Sequence, residues 1–194
     1  MMHTYNNDYY LKHQADGTKN KAGALFMDYR NAPALLDRNT IIYGHNLKNR
    51  TMFGQLTDFK NAEYCREHPF LYLYVPGHRF RLEVAAAIDT LDGSDYYRFP
   101  VSWSEWQEML AEAVERSAYD FGVPVKETDH FITLSTCAYD YELERWIVIC
   151  RIDDPDAVPA PDGKYTVILH LVSLLFVVCG IIIYNFTAVC CIPG

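Results

Sequence analysis

Cys137, His45 and Arg145 are the residues of this 194-residue chain whose types and spacing could do chemistry together. The chemistry would be acyl transfer through a thiol. Cys137 closes the run Phe131-Ile-Thr-Leu-Ser-Thr-Cys137, which reads as a strand, and the polar stretch 138–144 follows it. A thiol at a strand end beside a loop is more accessible than one in mid-strand. If 138–144 connects two antiparallel strands, Arg145 opens the return strand directly across from Cys137, about 5 Å away on the same face. A permanent cation there would lower the thiol pKa and offer guanidinium donors to a developing oxyanion. Alternation puts Thr133, Ser135 and Cys137 on one face, with Ile132 and Leu134 on the other.

A cysteine nucleophile also needs a group that accepts and later returns a proton, and histidine has the suitable pKa. Seven are present, at positions 3, 13, 45, 68, 78, 130 and 170. His45 follows the apolar strand Ile41-Ile-Tyr43 and a glycine that gives the backbone freedom to turn, so it can face a cleft. His130 sits at the far end of the Cys137 strand, roughly 20 Å away at ~3.3 Å per residue, too distant to be the partner. On type and spacing alone two plain alternatives stay open: a solvated arginine at a hairpin mouth, and a cysteine that is a small buried hydrophobe.

The elements that must position these residues are short and mostly β. Runs at Ala24 to Met27, Thr40 to Tyr43, Phe70 to Val75, Phe80 to Ile88, Phe131 to Leu134 and Trp146 to Ile152 are β-branched, aromatic or alternating. Asn, Asp, Gly and Pro bound them, as expected of closely spaced strands. Pro76-Gly77 between two of the runs predicts a hairpin. Two helices interrupt the pattern. One is short, about Thr51 to Asn61. The other follows Ser102-Trp-Ser-Glu105, a capping box, and brings Trp103, Trp106, Leu110, Ala113 and Val114 onto one face for packing against a sheet.

Composition narrows the function classes. The chain is 50% hydrophobic and 22% charged, which supports a real core. A net charge of -8 excludes nucleic acid as the main partner, because phosphate backbones need a basic footprint. All of that charge lies in the first 164 residues. From Tyr165 to Gly194 there is no Asp, Glu, Lys or Arg, and Tyr165 to Tyr184 has the length and character of a membrane-spanning helix. The acidic, Pro-rich stretch from Asp153 to Gly163 reads as a linker. Residues 1–20 show no signal peptide. None of the six cysteines forms a Cys-x-x-Cys pair, so neither a zinc site nor a disulfide framework is indicated.

The segments Asn39-Thr-Ile-Ile-Tyr-Gly-His45-Asn and Thr133-Leu-Ser-Thr-Cys137, with Arg145 opening the next strand, resemble the three catalytic segments of sortases. Ala22-Gly-Ala-Leu-Phe-Met-Asp-Tyr-Arg-Asn31, Met52-Phe-Gly and the capped helix ahead of the cysteine strand narrow the resemblance to class B. It covers about residues 5–152.

The resemblance implies a closed sortase-type β-barrel with a helix inserted before the Cys137 strand; the chain is expected to depart from that pattern by lacking the first barrel strand and by adding an apolar C-terminal segment read as a transmembrane helix. The corresponding division is a catalytic domain over 1–152, a linker over 153–164 and a transmembrane segment over 165–192. The implied activity is cysteine transpeptidation at the outer face of a Gram-positive cell membrane, although the chain carries no export signal. Cys137 would attack a C-terminal sorting signal of the Asn-Pro-x-Thr kind on a surface or pilin protein. His45 would move the protons, Arg145 would hold the oxyanion, and an amine of peptidoglycan or of a pilin would accept the acyl group. No metal or organic cofactor is implied. Leu11, Tyr96, Tyr97 and Ser135 fall where class B members contact the sorting peptide, with Asn46 beside His45 as a supporting group. Ala138 stands where some members carry an acidic residue. A binding module that keeps the barrel without turnover, and a peptidase that only hydrolyses, are the alternatives.

Overall fold

The computed structural model describes residues 2–32, 35, 37–75, 78–99, 101–137, 144–153 and 169–170. Its strands are β1 (Phe26–Met27), β2 (Asn39–Tyr43), β3 (Phe70–Val75), β4 (His78–Leu91), β5 (Phe131–Cys137), β6 (Glu144–Ile152) and β7 (Leu169–His170). They form one sheet in the order β1-β2-β5-β6-β4-β3-β7. Each of the six predicted runs contains a strand, the first shortened to Phe26–Met27, and the fold is mostly β.

Both faces of the sheet are covered, so residues 131–136 of β5 and 146–150 of β6 are buried whichever face they point to. On one face Ile132 and Leu134 of β5 pack with Val148 and Cys150 of β6, Ile42 of β2 and Leu71 and Leu73 of β3. On the other, Phe131, Ile147, Ile149 and Ile41 lie with Trp106, Leu110 and Ala113 of the helix α2 (Trp103–Arg116). A register shift in β4 between Val84 and Ala86 reverses the alternation. Leu82 and Val84 therefore join the first core, whereas Ala86 and Ile88 join the second. The predicted capping box is present: the Ser102 side chain accepts from the Glu105 N–H, and the Glu105 carboxylate accepts from the Ser102 N–H.

The hairpin predicted around 76–77 also forms, with Val75 opposite His78.

Two expectations are corrected. The helix expected over Thr51 to Asn61 is instead a turn, a 3-10 helix (Leu56–Lys60) and then α1 (Ala62–Glu67). Asn61 starts α1 rather than ending a helix, since its Oδ1 accepts the N–H groups of Glu63 and Tyr64. Arg50 and Met52 adopt positive φ (65° and 54°), which no α-helix allows. The barrel is not closed: among the described residues β1 and β7 are the two edges of a curled, half-barrel sheet. Of the expected transmembrane segment only Leu169 and His170 are described; they are strand, paired with Leu73 and Tyr72. The edge of β3 offers backbone donors and acceptors that a strand satisfies and a helix does not. No described helix is long and apolar enough to cross a membrane. The remainder of the linker and the 165–192 segment lies outside the described residues.

Candidate active site

Three adjacent strands, β2, β5 and β6, bring the candidate residues to one level of the sheet. β5 and β6 are antiparallel, and their last pair is Cys137 opposite Arg145, as the hairpin reading required. β2 runs parallel to β5 with Tyr43 beside Ser135, and the ladder continues through the Gly44 N–H to the Ser135 carbonyl at 3.1 Å. His45 and Cys137 each lie two residues beyond that pair. His130 is at the opposite end, where its Nδ1 donates to the Asp37 carbonyl at 2.9 Å.

Gly44 is required by space and not by an unusual backbone angle. A Cβ there would lie 2.4 Å from Leu25 Cδ2 and 2.8 Å from the Phe53 ring, so only glycine lets the β2 exit pass this close to its neighbours. The half-buried His45 donates from Nε2 to the Leu11 carbonyl at 2.8 Å, and its own carbonyl accepts from the Phe53 N–H at 3.0 Å. Asn46 makes the adjacent backbone bridge to Met52.

Arg145 is half-buried and donates from Nη2 to Asp92 Oδ2 at 2.9 Å. Asp92 stands in the turn after β4, where Gly93 takes φ +75° and Thr90 Oγ1 donates to Ser94 Oγ at 2.9 Å. Thr90 is the β4 residue opposite Arg145, which brings this turn to the arginine.

A cleft of about 460 Å³ reaches the site at Asp92, the partner of Arg145, and is lined also by Asn7, Arg30, Tyr43, Tyr97 and Phe99 among others. Its aromatic wall is ordered from below. The Tyr43 and Tyr97 rings stack with centroids 6.2 Å apart, and the Tyr97 hydroxyl shares a 2.8 Å hydrogen bond with the buried Ser135 hydroxyl, two residues before Cys137. Tyr97 thus lines the cleft while Ser135 anchors it from beneath. Tyr96 is buried under α2 and donates to the Met109 carbonyl at 3.2 Å. Leu11 packs against Tyr10, Ala24 and Phe26 and meets the site through its carbonyl.

Two features escaped the sequence reading. One is Asp92; a lone carboxylate in an Asp-Gly turn looks like ordinary turn chemistry, and only the β4–β6 register reveals its arginine. The other is Asp28, fully buried, which accepts from Arg30 Nε at 2.8 Å, Arg30 Nη2 at 2.7 Å, Tyr43 Oη at 2.9 Å and Asn7 Nδ2 at 3.0 Å. Burial raises the Asp28 pKa, but the hydrogen bonds from Arg30 and Tyr43 outweigh it and hold the carboxyl below its ordinary value. Burial, then the Asp28 charge, push the Tyr43 hydroxyl up, so it stays a neutral donor.

The other described thiols are structural. Cys65 and Cys150 are buried, Cys65 donates to the Phe59 carbonyl at 3.2 Å, and burial pushes both pKa values up. A raised thiol pKa suppresses the thiolate that nucleophilic attack needs. Among the described residues no group of His, Cys, Asp and Glu side chains could hold a metal ion.

A profile of the sortase domain matches residues 3–153. Sortase B of Listeria monocytogenes serovar 1/2a (strain ATCC BAA-679 / EGD-e) is 35% identical over 154 residues, covering 76% of this chain and 61% of that protein. Sortase B of Staphylococcus aureus (strain NCTC 8325 / PS 47) is 30% identical over 75% of this chain and likewise 61% of its own length. The chain therefore spans about three fifths of these curated relatives. Among solved structures, Clostridium perfringens sortase B superimposes with a TM-score of 0.71 at 28% identity, over 78% of this chain and 85% of that one. A Staphylococcus aureus sortase B–substrate complex gives 0.69 at 30% identity, over 78% and 71%. With the strand order, the cysteine-to-arginine register and these likenesses in agreement, the chain belongs to the sortase family, in its class B.

Proposed function

We propose that the protein is a cysteine transpeptidase that cleaves a C-terminal sorting signal and transfers the acyl group to an amine. The observation that carries this reading is the Cys137–Arg145 strand pair with His45 at the same level on the neighbouring strand.

Peptide bound in the cleft presents the carbonyl of its scissile bond to the Cys137 thiolate. Attack forms the carbon–sulfur bond and moves the carbonyl π electrons onto oxygen, and the Arg145 guanidinium holds the resulting oxyanion. Collapse breaks the carbon–nitrogen bond. The leaving amine takes a proton from His45, and a thioester remains on Cys137. An acceptor amine then gives its proton to His45 as it attacks the thioester, which restores the thiolate and leaves a new amide. The hydrogen bond from His45 Nε2 to Leu11 fixes the ring and leaves Nδ1 to exchange the proton. Asp92, bonded to Arg145, orients the guanidinium fork.

The substrate class we favour is an exported protein bearing an Asn-Pro-x-Thr-like signal, with a peptidoglycan or pilin amine as acceptor, at the outer face of the cell membrane. The Staphylococcus aureus relative solved with its substrate supports the peptide part of this reading. Incubation with a fluorogenic Asn-Pro-x-Thr peptide and an amine nucleophile should give cleavage, and a ligated product whose yield rises with amine concentration. Cleavage that ignores the amine would reduce the activity to hydrolysis. A folded protein without turnover would leave a binding module.

A further inference from the structure

Asp28 is the only buried carboxylate in the described core, and nothing in acyl transfer uses it directly. Its hydrogen-bond partners are nevertheless three residues of the cleft: Asn7, Arg30 and Tyr43. Arg30 reaches it through two nitrogens, bidentate geometry that fixes the guanidinium in plane and direction. The same guanidinium stands 4.8 Å over the ring of Phe99, a further cleft residue, and its side chain is 34% exposed. An asparagine at 28 could keep some of these bonds. Only a carboxylate also cancels the charge of Arg30. The other charges at the cleft are matched as well: Asp92 pairs with Arg145 and Arg98 with Glu105.

We propose that Asp28 is a positioning residue of the cleft, and that its pairing with Arg30 sets the charge selectivity of the cleft by presenting a neutral floor to the sorting peptide. This rests on the transpeptidase reading above. Asp28 touches no substrate. It acts through Arg30, whose orientation and effective charge the peptide meets, and through Tyr43 and Asn7, which it holds in one arrangement.

The test compares kcat/KM for three Asn-Pro-x-Thr peptides that differ only in carrying Gln, Glu or Lys at the variable position. The unsubstituted protein should prefer Gln. Asp28→Asn leaves an uncompensated cation and should shift the Glu-to-Lys preference about tenfold toward Glu; Arg30→Gln leaves an uncompensated anion and should shift it about tenfold toward Lys, the scale of one unit charge several ångströms away. The double variant should return the ratio close to its starting value. Lost packing alone would move both single variants in the same direction, so opposite signs separate charge selectivity from a structural defect. Shifts of the same sign, or none, would overturn the proposal. If Asp28→Asn fails to fold, as judged by its thermal melt, an unchanged ratio in Arg30→Gln overturns it equally. Absence of cleavage by the unsubstituted protein would overturn the transpeptidase reading and this proposal together, whereas cleavage with an immovable ratio would overturn this proposal alone.

Discussion

Cys137→Ala is expected to abolish both peptide cleavage and ligation, lowering kcat by at least about 10⁴-fold, with the fold intact. The expectation follows from place as much as from type. Cys137 is the last residue of β5, opposite Arg145 and level with the exit of β2. Cys65 and Cys150 cannot stand in for it, because both are buried with their pKa values raised. A β5 position at the end of the ladder tolerates a side chain shortened by one sulfur, so the melting temperature should move little. Circular dichroism and a peptide-cleavage assay on the same preparation check the two halves together. Retained turnover in a folded Cys137→Ala protein would mean that another nucleophile does the work.

Arg145→Ala carries the second-largest expected effect, a loss of about 10²–10³ in kcat/KM, the amount typical of removing a principal oxyanion donor. The conservative change is the sharper experiment. Arg145→Lys keeps the positive charge beside Cys137 but loses the planar fork that reaches both Asp92 and an oxyanion. It should therefore recover only a small part of the lost kcat, while its thiol alkylation rate stays close to that of the unsubstituted protein. Arg145→Ala should slow alkylation at neutral pH, because the thiol loses the neighbouring cation that favours the thiolate. Steady-state kinetics and iodoacetamide kinetics separate the two roles. A lysine variant as active as the original would show that charge alone suffices and that the fork is unused.

What could be read from the sequence followed the range of the interactions. The Cys137–Arg145 pairing was legible because it belongs to one local hairpin, where strand length and connection length together set the register. The α2 capping box was legible for the same reason: Ser102 and Glu105 need only each other. His45 was legible as a residue leaving a strand, but its place beside Cys137 depends on the parallel β2–β5 pair, whose partners are more than 90 residues apart in the chain. Gly44 reads in the sequence as backbone freedom to turn, not as a limit on space. Its requirement comes from Leu25 and Phe53, brought in by long-range packing that no local signal reports. Asn61 cannot be placed from its type, since an asparagine can end one helix or begin another, and the positive φ values at Arg50 and Met52 arise from a turn with no strong sequence mark. The Asp28 and Asp92 contacts were hidden for a simpler reason, since acidic residues beside Tyr-Arg and Gly look solvent-facing until the sheet register is known. The apolar tail shows the reverse limit. Hydropathy describes a solvent preference, and it did not anticipate that Leu169 and His170 would pair with the edge of β3.

Under the proposed mechanism Cys137 forms a covalent acyl intermediate with the threonine end of a sorting peptide. Intact-mass spectrometry after rapid acid quench, on protein mixed with an Asn-Pro-x-Thr peptide and no amine acceptor, tests it most directly. The expected result is a mass increase equal to the peptide up to its threonine, less one water, located on Cys137 by peptide mapping, removed by hydroxylamine and absent from Cys137→Ala. Cleaved peptide accumulating with no adduct at any quench time, or an adduct on a different cysteine, would contradict it.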